Sequence, residues 1–246
     1  MIVGSFSKVI GKHDVAVHPH LIGRDPAFKN RQLLHILEFP AWRRNASSIH
    51  GRQPRLVHHL DGTARAEIRR RYGELIRPGG RLLDLMGSWT SHLPDSLELG
   101  GLTVLGMNEE ELRRNTRATE TVVQDLNADP VLPFAEGSFD AVICTASVEY
   151  LIHPLAVTEE ICRILKPGGL LAFAFSNRWF QPKAIRLWTE IHQFERLGLV
   201  AELFHVAGGF KDVSTLSRRG WPRPLDDPHQ ELWLSDPLYM VWGTKA

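Results

Sequence analysis

Arg81–Pro94, RLLDLMGSWTSHLP, is the stretch on which the reading of this 246-residue chain turns. It follows Pro78, Gly79 and Gly80, which close a charged helical segment, and it opens as a buried strand of Leu82, Leu83 and Leu85 carrying one acid, Asp84. Apolar strand, acid and tight turn are how a nucleotide-type site starts in a doubly wound α/β fold. There the ligand lies outside the carboxyl ends of the strands and the turn must let main chain approach it. Glycines normally make that turn. Here it reads Met86, Gly87, Ser88, Trp89, Thr90, with one glycine left, so the stretch taken alone also fits an ordinary buried strand and loop.

The spacing of the downstream segments favours the site. From Leu102 the chain reads LTVLGMNEEEL, a second strand ending at Asn108, 22 positions past Met86, with Glu109 to Glu111 behind it. A dinucleotide fold places the residue that holds ribose hydroxyls at this distance. VVQDLNADPVLPF then brings Asp125, Leu126 and Asn127, FDAVICTASVEYL is a fourth apolar strand, and CRILKPGGLLAFAFSN is a helix end, a Lys-Pro-Gly-Gly turn and a fifth strand. In LPFAEGSFDAV (Leu132–Val142) and ILKPGGLLAF (Ile164–Phe173) the chain resembles the class I S-adenosylmethionine-dependent methyltransferases, in their small-molecule, type 11-like branch. The resemblance covers Ile68 to Ser176 well and the C-terminus loosely. It implies an α/β fold with a doubly wound, mostly parallel, seven-stranded sheet, residues 61–246 forming the methyltransferase domain and residues 1–60 an N-terminal cap over the site.

Composition agrees with that class. With 43% hydrophobic residues the chain can bury one sizeable α/β core. Cys144 and Cys162 offer no disulfide framework and point to a reducing, cytoplasmic setting. The opening MIVGSFSKVIGKHD is broken by Lys8, Lys12 and His13 too early for a signal peptide, and no run of 18 apolar residues occurs, so no membrane partner is expected. Charge is uneven: residues 1–60 hold nine Lys or Arg against three acids in a chain of net charge +1. A basic arm can meet nucleic acid, but this one has only Phe6, Phe28, Phe39 and Trp42 to interleave with its cations. VEYL also lacks the Asn-Pro-Pro-Tyr type of motif of DNA base methyltransferases, so no nucleic-acid partner is expected. His13, His18, His20, His35, His50, His58 and His59 have no Cys or carboxylate set at ligand spacing, so no metal is expected. Monomer and homodimer both stay open.

Around the central stretch, DGTARAEIRRRYGELIRPGG predicts a helix capped by Asp61 or Thr63 and running to Ile76, with Ala64, Ile68, Tyr72 and Leu75 on one face. Pro94 cuts short the helix that normally follows the glycine turn. Residues 109–118 predict a helix with acids early and arginines late. Thr121–Val123, Ala141–Thr145 and Leu170–Phe175 are the third to fifth strands, the last two linked by a helix over Pro154–Leu165. PKAIRLWTEIHQFERL (Pro182–Leu197) predicts one helix with Ile185, Trp188, Ile191 and Phe194 as a core stripe, and Ala201–Val206 a further helical stretch. FKDVSTLSR and DPLYMVWGTKA predict a closing strand pair, the last antiparallel, and Asn30–Glu38 a helix in the cap.

The resemblance also implies roles. Asp84 and the main chain of Met86, Gly87, Ser88 and Trp89 face the methionine end of the cofactor, S-adenosylmethionine; Asn108 faces its ribose and Asp125, Leu126 and Asn127 its adenine. Thr145 and Ser147 sit beneath the sulfonium. Two departures stand out: the glycine-rich turn has become Met86, Ser88 and Thr90, and the ribose-binding acid has become Asn108. An amide pairs with a hydroxyl without the strength a charge lends, and Glu109 is placed to compensate. Trp89 either stacks near the cofactor or fills its space. Methyl transfer is an in-line displacement that needs alignment, desolvation and, for an alcohol or a protonated amine, a base. The candidate groups at the strand ends are His92, Glu149, Tyr150, Asn177 and Arg178, with Arg178 and Trp179 suited to an anionic or aromatic acceptor. The leading reading is methyl transfer to a small-molecule acceptor. Its rivals are a methyltransferase fold that has become a silent binding or scaffold protein and a nicotinamide-dependent oxidoreductase, which suits the first strand but not LPFAEGSFDAV or LKPGG.

Overall fold

Successive side chains of a strand point to opposite faces, so a continuously apolar strand buries both faces of its sheet. The computed structural model describes residues 14–15, 54–181 and 183–246. Strand β1 (Asp14–Val15) and helix α1 (Gly62–Leu75) precede β2 (Arg81–Leu85), β3 (Gly101–Gly106), α2 (Glu109–Arg113) and β4 (Glu120–Val123). Then come β5 (Phe139–Thr145), α3 (Pro154–Ile164), β6 (Leu165–Phe175), α4 (Arg186–Glu190), α5 (Gln193–Ala207), β7 (Phe210–Arg218) and β8 (Leu238–Lys245).

The sheet order is β1-β7-β8-β6-β5-β2-β3-β4. β2 through β6 pair in parallel, whereas β8 is antiparallel to both β6 and β7. The seven expected strands are there, and β1 adds a two-residue eighth at the edge beside Ser217 and Arg218. Chain direction across the sheet reverses between β2 and β5, so a crevice opens at the carboxyl ends of β2, β3 and β5.

One face packs Leu83, Leu85, Val142, Cys144 and Phe173 against Val157 and Ile161 of α3 and Leu197, Val200 and Phe204 of α5. The other packs Leu82, Ile143, Ala172 and Met240 against Ala64, Ile68 and Tyr72 of α1. Each large apolar side chain so buried stabilises the fold by roughly 1.5–3 kcal/mol. Asp84 has the parity of Leu82 and is the polar member of that second row. Helix α1 starts as its sequence asks, with the Asp61 carboxylate accepting from Ala64 N at 2.9 Å.

Four expectations change. No helix follows β2: residues 86–100 are irregular, not merely a helix shortened at Pro94. Side chains from the next crossover hold this coil. Asn115 Nδ2 donates to Ser88 O at 2.9 Å and Ser91 Oγ at 2.8 Å, and the Arg117 guanidinium donates to the carbonyls of Pro94 and Leu97, both at 2.7 Å. They meet hydrogen-bonding demands that a helix would have met internally. Second, α2 ends at Arg113 instead of running to 118. Third, the helix read over Pro182–Leu197 is two helices, because His192 caps α5: its Nδ1 accepts from Phe194 N, and Glu195 Oε2 accepts from His192 N. Ile185 and Trp188 are therefore buried while Phe194 is exposed, and Ala201–Val206 is the end of α5. Fourth, the Lys-Pro-Gly-Gly turn is a bulge inside β6, where pairing steps from Phe139 with Leu165 to Ala141 with Leu170. The expected helix at Asn30–Glu38 and histidines 13, 18, 20, 35 and 50 lie outside the described residues. Among the described residues no helix is long and apolar enough to cross a membrane, and no group of three or more His, Cys, Asp or Glu is placed to hold a metal ion.

Candidate active site

At the crevice lies a cavity of about 810 Å³. The cofactor-facing and catalytic candidates read from sequence, from Asp84 to Arg178, all line it except Glu109 and Asn177, joined by Arg55, Val57, His58, His59 and Leu60 from the end of the expected cap. Four non-glycine residues among those described have left-handed backbone, and three of them, Met86 (φ 56°), His92 (φ 51°) and Ala146 (φ 49°), line this cavity. Such backbone is strained for residues with a Cβ and gathers at sites whose shape matters.

At one end, β2 brings Asp84 to the turn. Its Oδ2 is buried without a hydrogen-bond partner, and burial pushes the carboxyl up to about 7, against the pull of the Ser91 hydroxyl. Gly87 N donates to Leu105 O at 2.8 Å, seating the turn on β3. Asn108 caps α2, its Oδ1 accepting from Glu111 N at 3.1 Å. Glu109 turns away and pairs with Arg113 on the outer surface of α2, so it does not compensate for Asn108. Glu111 lines the cavity instead, accepting from Ser88 Oγ and from Arg55 N, both at 2.6 Å. Asn127 uses its amide within the loop, donating to Tyr150 O at 3.1 Å and accepting from Ile152 N at 2.7 Å, while Asp125 Oδ1 accepts from Asn127 N at 3.0 Å. Thr145 shares a 2.7 Å hydrogen bond with Tyr72 of α1, and Ser147 Oγ donates to Thr145 O at 3.0 Å and Met86 O at 3.3 Å.

Past β5, Glu149 is 1% exposed with Oε2 unpartnered, and burial pushes its carboxyl up to about 8, tempered by a backbone hydrogen bond and by the positive charge of Arg196. His92 Nδ1 is likewise unpartnered. Burial, then the charges of His58 and nearby arginines, push that imidazole down to about 3, so it is neutral throughout the physiological range. Tyr150 Oη accepts from Phe180 N at 3.1 Å, and burial raises its pKa. Arg178 meets Asp236 at 3.4 Å. Trp89 packs against His58, ring centroids 4.6 Å apart. Arg196, whose guanidinium carbon lies 4.2 Å from the Trp179 ring centroid, sits near Glu149 with Nη1 unpartnered.

Sequence reasoning missed Tyr72 as the partner of Thr145, Glu111, Asn115 and Arg196. Glu111 was within reach: the third residue of a first helical turn faces back toward the capping residue, here Asn108. Arg196 carries no local signal, since it acts on Glu149 by its charge from a helix beyond the last motif and packs against Trp179.

The sequence pattern of a family described as a methyltransferase domain matches residues 87–173. Over that stretch, about a third of its length, the chain is similar to the class I methyltransferases. The ubiquinone/menaquinone biosynthesis C-methyltransferase of Chromobacterium violaceum is 28% identical over 138 residues, covering 52% of this chain and 55% of that protein. The demethylmenaquinone methyltransferase of Paenarthrobacter aurescens is 30% identical over 105 residues, covering 43% and 40%. The chain thus spans about half the length, or less, of these curated relatives. A solved S-adenosylmethionine-dependent methyltransferase from Thermotoga maritima shares the fold, with a TM-score of 0.55 at 17% identity, covering 74% of this chain and 89% of that one. The cofactor of these methyltransferases is S-adenosylmethionine, and two observations fit it here. Asp84 offers a buried, unpartnered carboxylate oxygen suited to an ammonium group. At Gly87 a Cβ would come within 2.6 Å of Val104 Cγ1 and 2.8 Å of Asp84 Oδ2, so the backbone packs where only glycine fits.

Proposed function

We propose that the protein transfers the methyl group of S-adenosylmethionine to a small-molecule acceptor. The observation that carries the reading is one cavity lined by two buried carboxyls, each with an unpartnered oxygen: Asp84, which lacks a cation, and Glu149, raised into the range of a working base. When bound, S-adenosylmethionine supplies a methyl group on a positively charged sulfur. Asp84 holds the amino group of its methionine portion, and the turn Met86–Trp89 presents main chain to the same portion. Asn108 serves the ribose, with Glu111 as the nearby acid. Asp125 and Leu126 border the adenine, joined by Asn127 through its main chain because its amide is engaged in the loop. Thr145, steadied by Tyr72, and Ser147 form the floor where methyl transfer occurs.

With the cofactor bound, Glu149 would take the acceptor's proton as the acceptor–carbon bond replaces the carbon–sulfur bond and the neutral thioether leaves, because a carboxyl near 8 is matched to that task. His92, neutral at working pH, orients the acceptor through Nδ1, Tyr150 fixes the Phe180 loop, and Arg178 draws in the acceptor. The missing helix after β2 favours the alternative, a silent binding protein. Calorimetric titration of ligand-free protein with S-adenosylmethionine and S-adenosylhomocysteine separates the two. Micromolar binding is expected, and folded protein that takes up neither at millimolar concentration is the scaffold.

A further inference from the structure

The hydrogen bonds that hold the coil after β2 run in one direction. Ser88 O can only accept and Arg117 N can only donate, so their bonds to Asn115, 2.9 Å to Nδ2 and 3.2 Å to Oδ1, fix which way its amide faces. The second Nδ2 proton goes to Ser91 Oγ at 2.8 Å. That leaves the Ser91 hydroxyl proton for Asp84, whose carboxyl it hydrogen-bonds. An oxygen that already accepts makes its own O–H a better donor, and all three side chains are buried, where such bonds are stronger than in water. Asn115 is itself set by the end of α2, its N donating to Leu112 O at 3.0 Å.

We infer that Ser91 and Asn115 are positioning residues for the cofactor's ammonium group, forming a directed hydrogen-bond chain that keeps Asp84 ionised with Oδ2 open to receive it. The inference rests on the S-adenosylmethionine reading of the cavity. A helix starting after β2 would bring its positive N-terminus and unpaired main-chain donors to this end of the crevice. Coil takes its place here, and a hydroxyl oriented from the next crossover supplies the donor instead. Burial raises Asp84, and among the described residues Ser91 is the one group that pulls it back. Tyr72 of α1 and Cys144 of β5, the titratable groups that feel the charge of Asp84, are both raised by burial and stay neutral across the working range. Its partner on β3, Val104, is apolar.

The test follows the Asp84 carboxyl by carbon NMR in the ligand-free full chain carrying isotope-labelled aspartate, the signal assigned with Asp84→Asn. Affinity for S-adenosylhomocysteine is measured beside it by calorimetry. In the unsubstituted protein the carboxyl titrates at about 7. Ser91→Ala is expected to move that midpoint to about 8, and Asn115→Ala to move it about half as far. S-adenosylhomocysteine should then bind Ser91→Ala about tenfold more weakly than the unsubstituted protein at about pH 6, and within about twofold at about pH 8, as rising pH ionises Asp84 without the chain. A side chain that only held the fold together would cost the same at every pH. An unmoved midpoint in Ser91→Ala, or a loss of affinity equal at both pH values, overturns the inference. A midpoint that moves while S-adenosylhomocysteine fails to bind even the unsubstituted protein upholds the chain's grip on Asp84 and overturns the cofactor assignment instead.

Discussion

The turns after β2 and after β5 meet at the cavity, where Ser147 donates to Met86 O, and each places one residue with a Cβ in left-handed backbone, Met86 or Ala146. Beyond that they part. After β5 the chain makes a short 3₁₀ turn, Val148–Tyr150, and enters α3, whose first position is Pro154, so local structure carries the shape. After β2 there is no helix, and the coil is held by Asn115 and Arg117 from the next crossover. Both walls are tied by a distant asparagine, Asn127 after β5 and Asn115 after β2, but only the β5 wall has helical structure of its own. The β2 wall should therefore be the more easily broken by a single substitution.

The largest expected effect is at Asp84. Asp84→Ala lowers affinity for S-adenosylhomocysteine by about a hundredfold in calorimetry, as loss of a desolvated charge pair implies, while Glu149→Gln leaves it within about twofold. Equal losses in both variants would mean that the two carboxyls do not divide the site between them.

Acid–base behaviour gives the second test. Both carboxyls have folded pKa values above their ordinary ones, Asp84 near 7 against 3.8 and Glu149 near 8 against 4.5. Through these two groups the folded state holds more protons than the unfolded one between about pH 4 and 8, whereas His92, pushed down to about 3 from 6.5, holds fewer below about pH 6.5, so the net fall in stability with rising pH lies above about pH 6.5. The ligand-free protein is expected to melt roughly 5 °C lower at pH 8 than at pH 6.5, and Glu149→Gln to remove most of the decline, in thermal scans at stepped pH. Cofactor binding runs the other way. An ammonium favours ionised Asp84, so affinity for S-adenosylhomocysteine rises with pH up to about 7.

Gly87→Ala should cost about tenfold in cofactor affinity, since its Cβ meets Val104 and Asp84, whereas Ala146→Gly on the opposite wall leaves affinity intact and raises the melting point. The smallest effect is at Asn115. Asn115→Ala removes donors to Ser88 O and Ser91 Oγ and should destabilise the fold by about 1–2 kcal/mol in denaturant titrations.

The central strands were legible because their burial on both faces leaves continuous apolar runs, and the break at Pro78–Gly80 is punctuation that survives without context, whereas Lys166–Gly169 reads as a turn but is a bulge inside β6. The helix start at Asp61 was legible because a cap is a local contact. The break at His192 was not, because an apolar stripe outweighed a histidine cap that is recognised only with Glu195 three residues on. Within the site, the strand-end residues were found because topology delivers them to one edge. What they do with their polar atoms depends on partners far away in sequence, such as Tyr72 for Thr145 and Arg196 for Glu149.

The three left-handed residues around the cavity, Met86, His92 and Ala146, have an evolutionary corollary. Each could be relaxed by glycine, so a screen that rewards heat resistance alone would be drawn to these positions. It would enrich chains that fold more firmly around a cavity no longer held in its working form, trading turnover for durability at the one place where the two are in conflict.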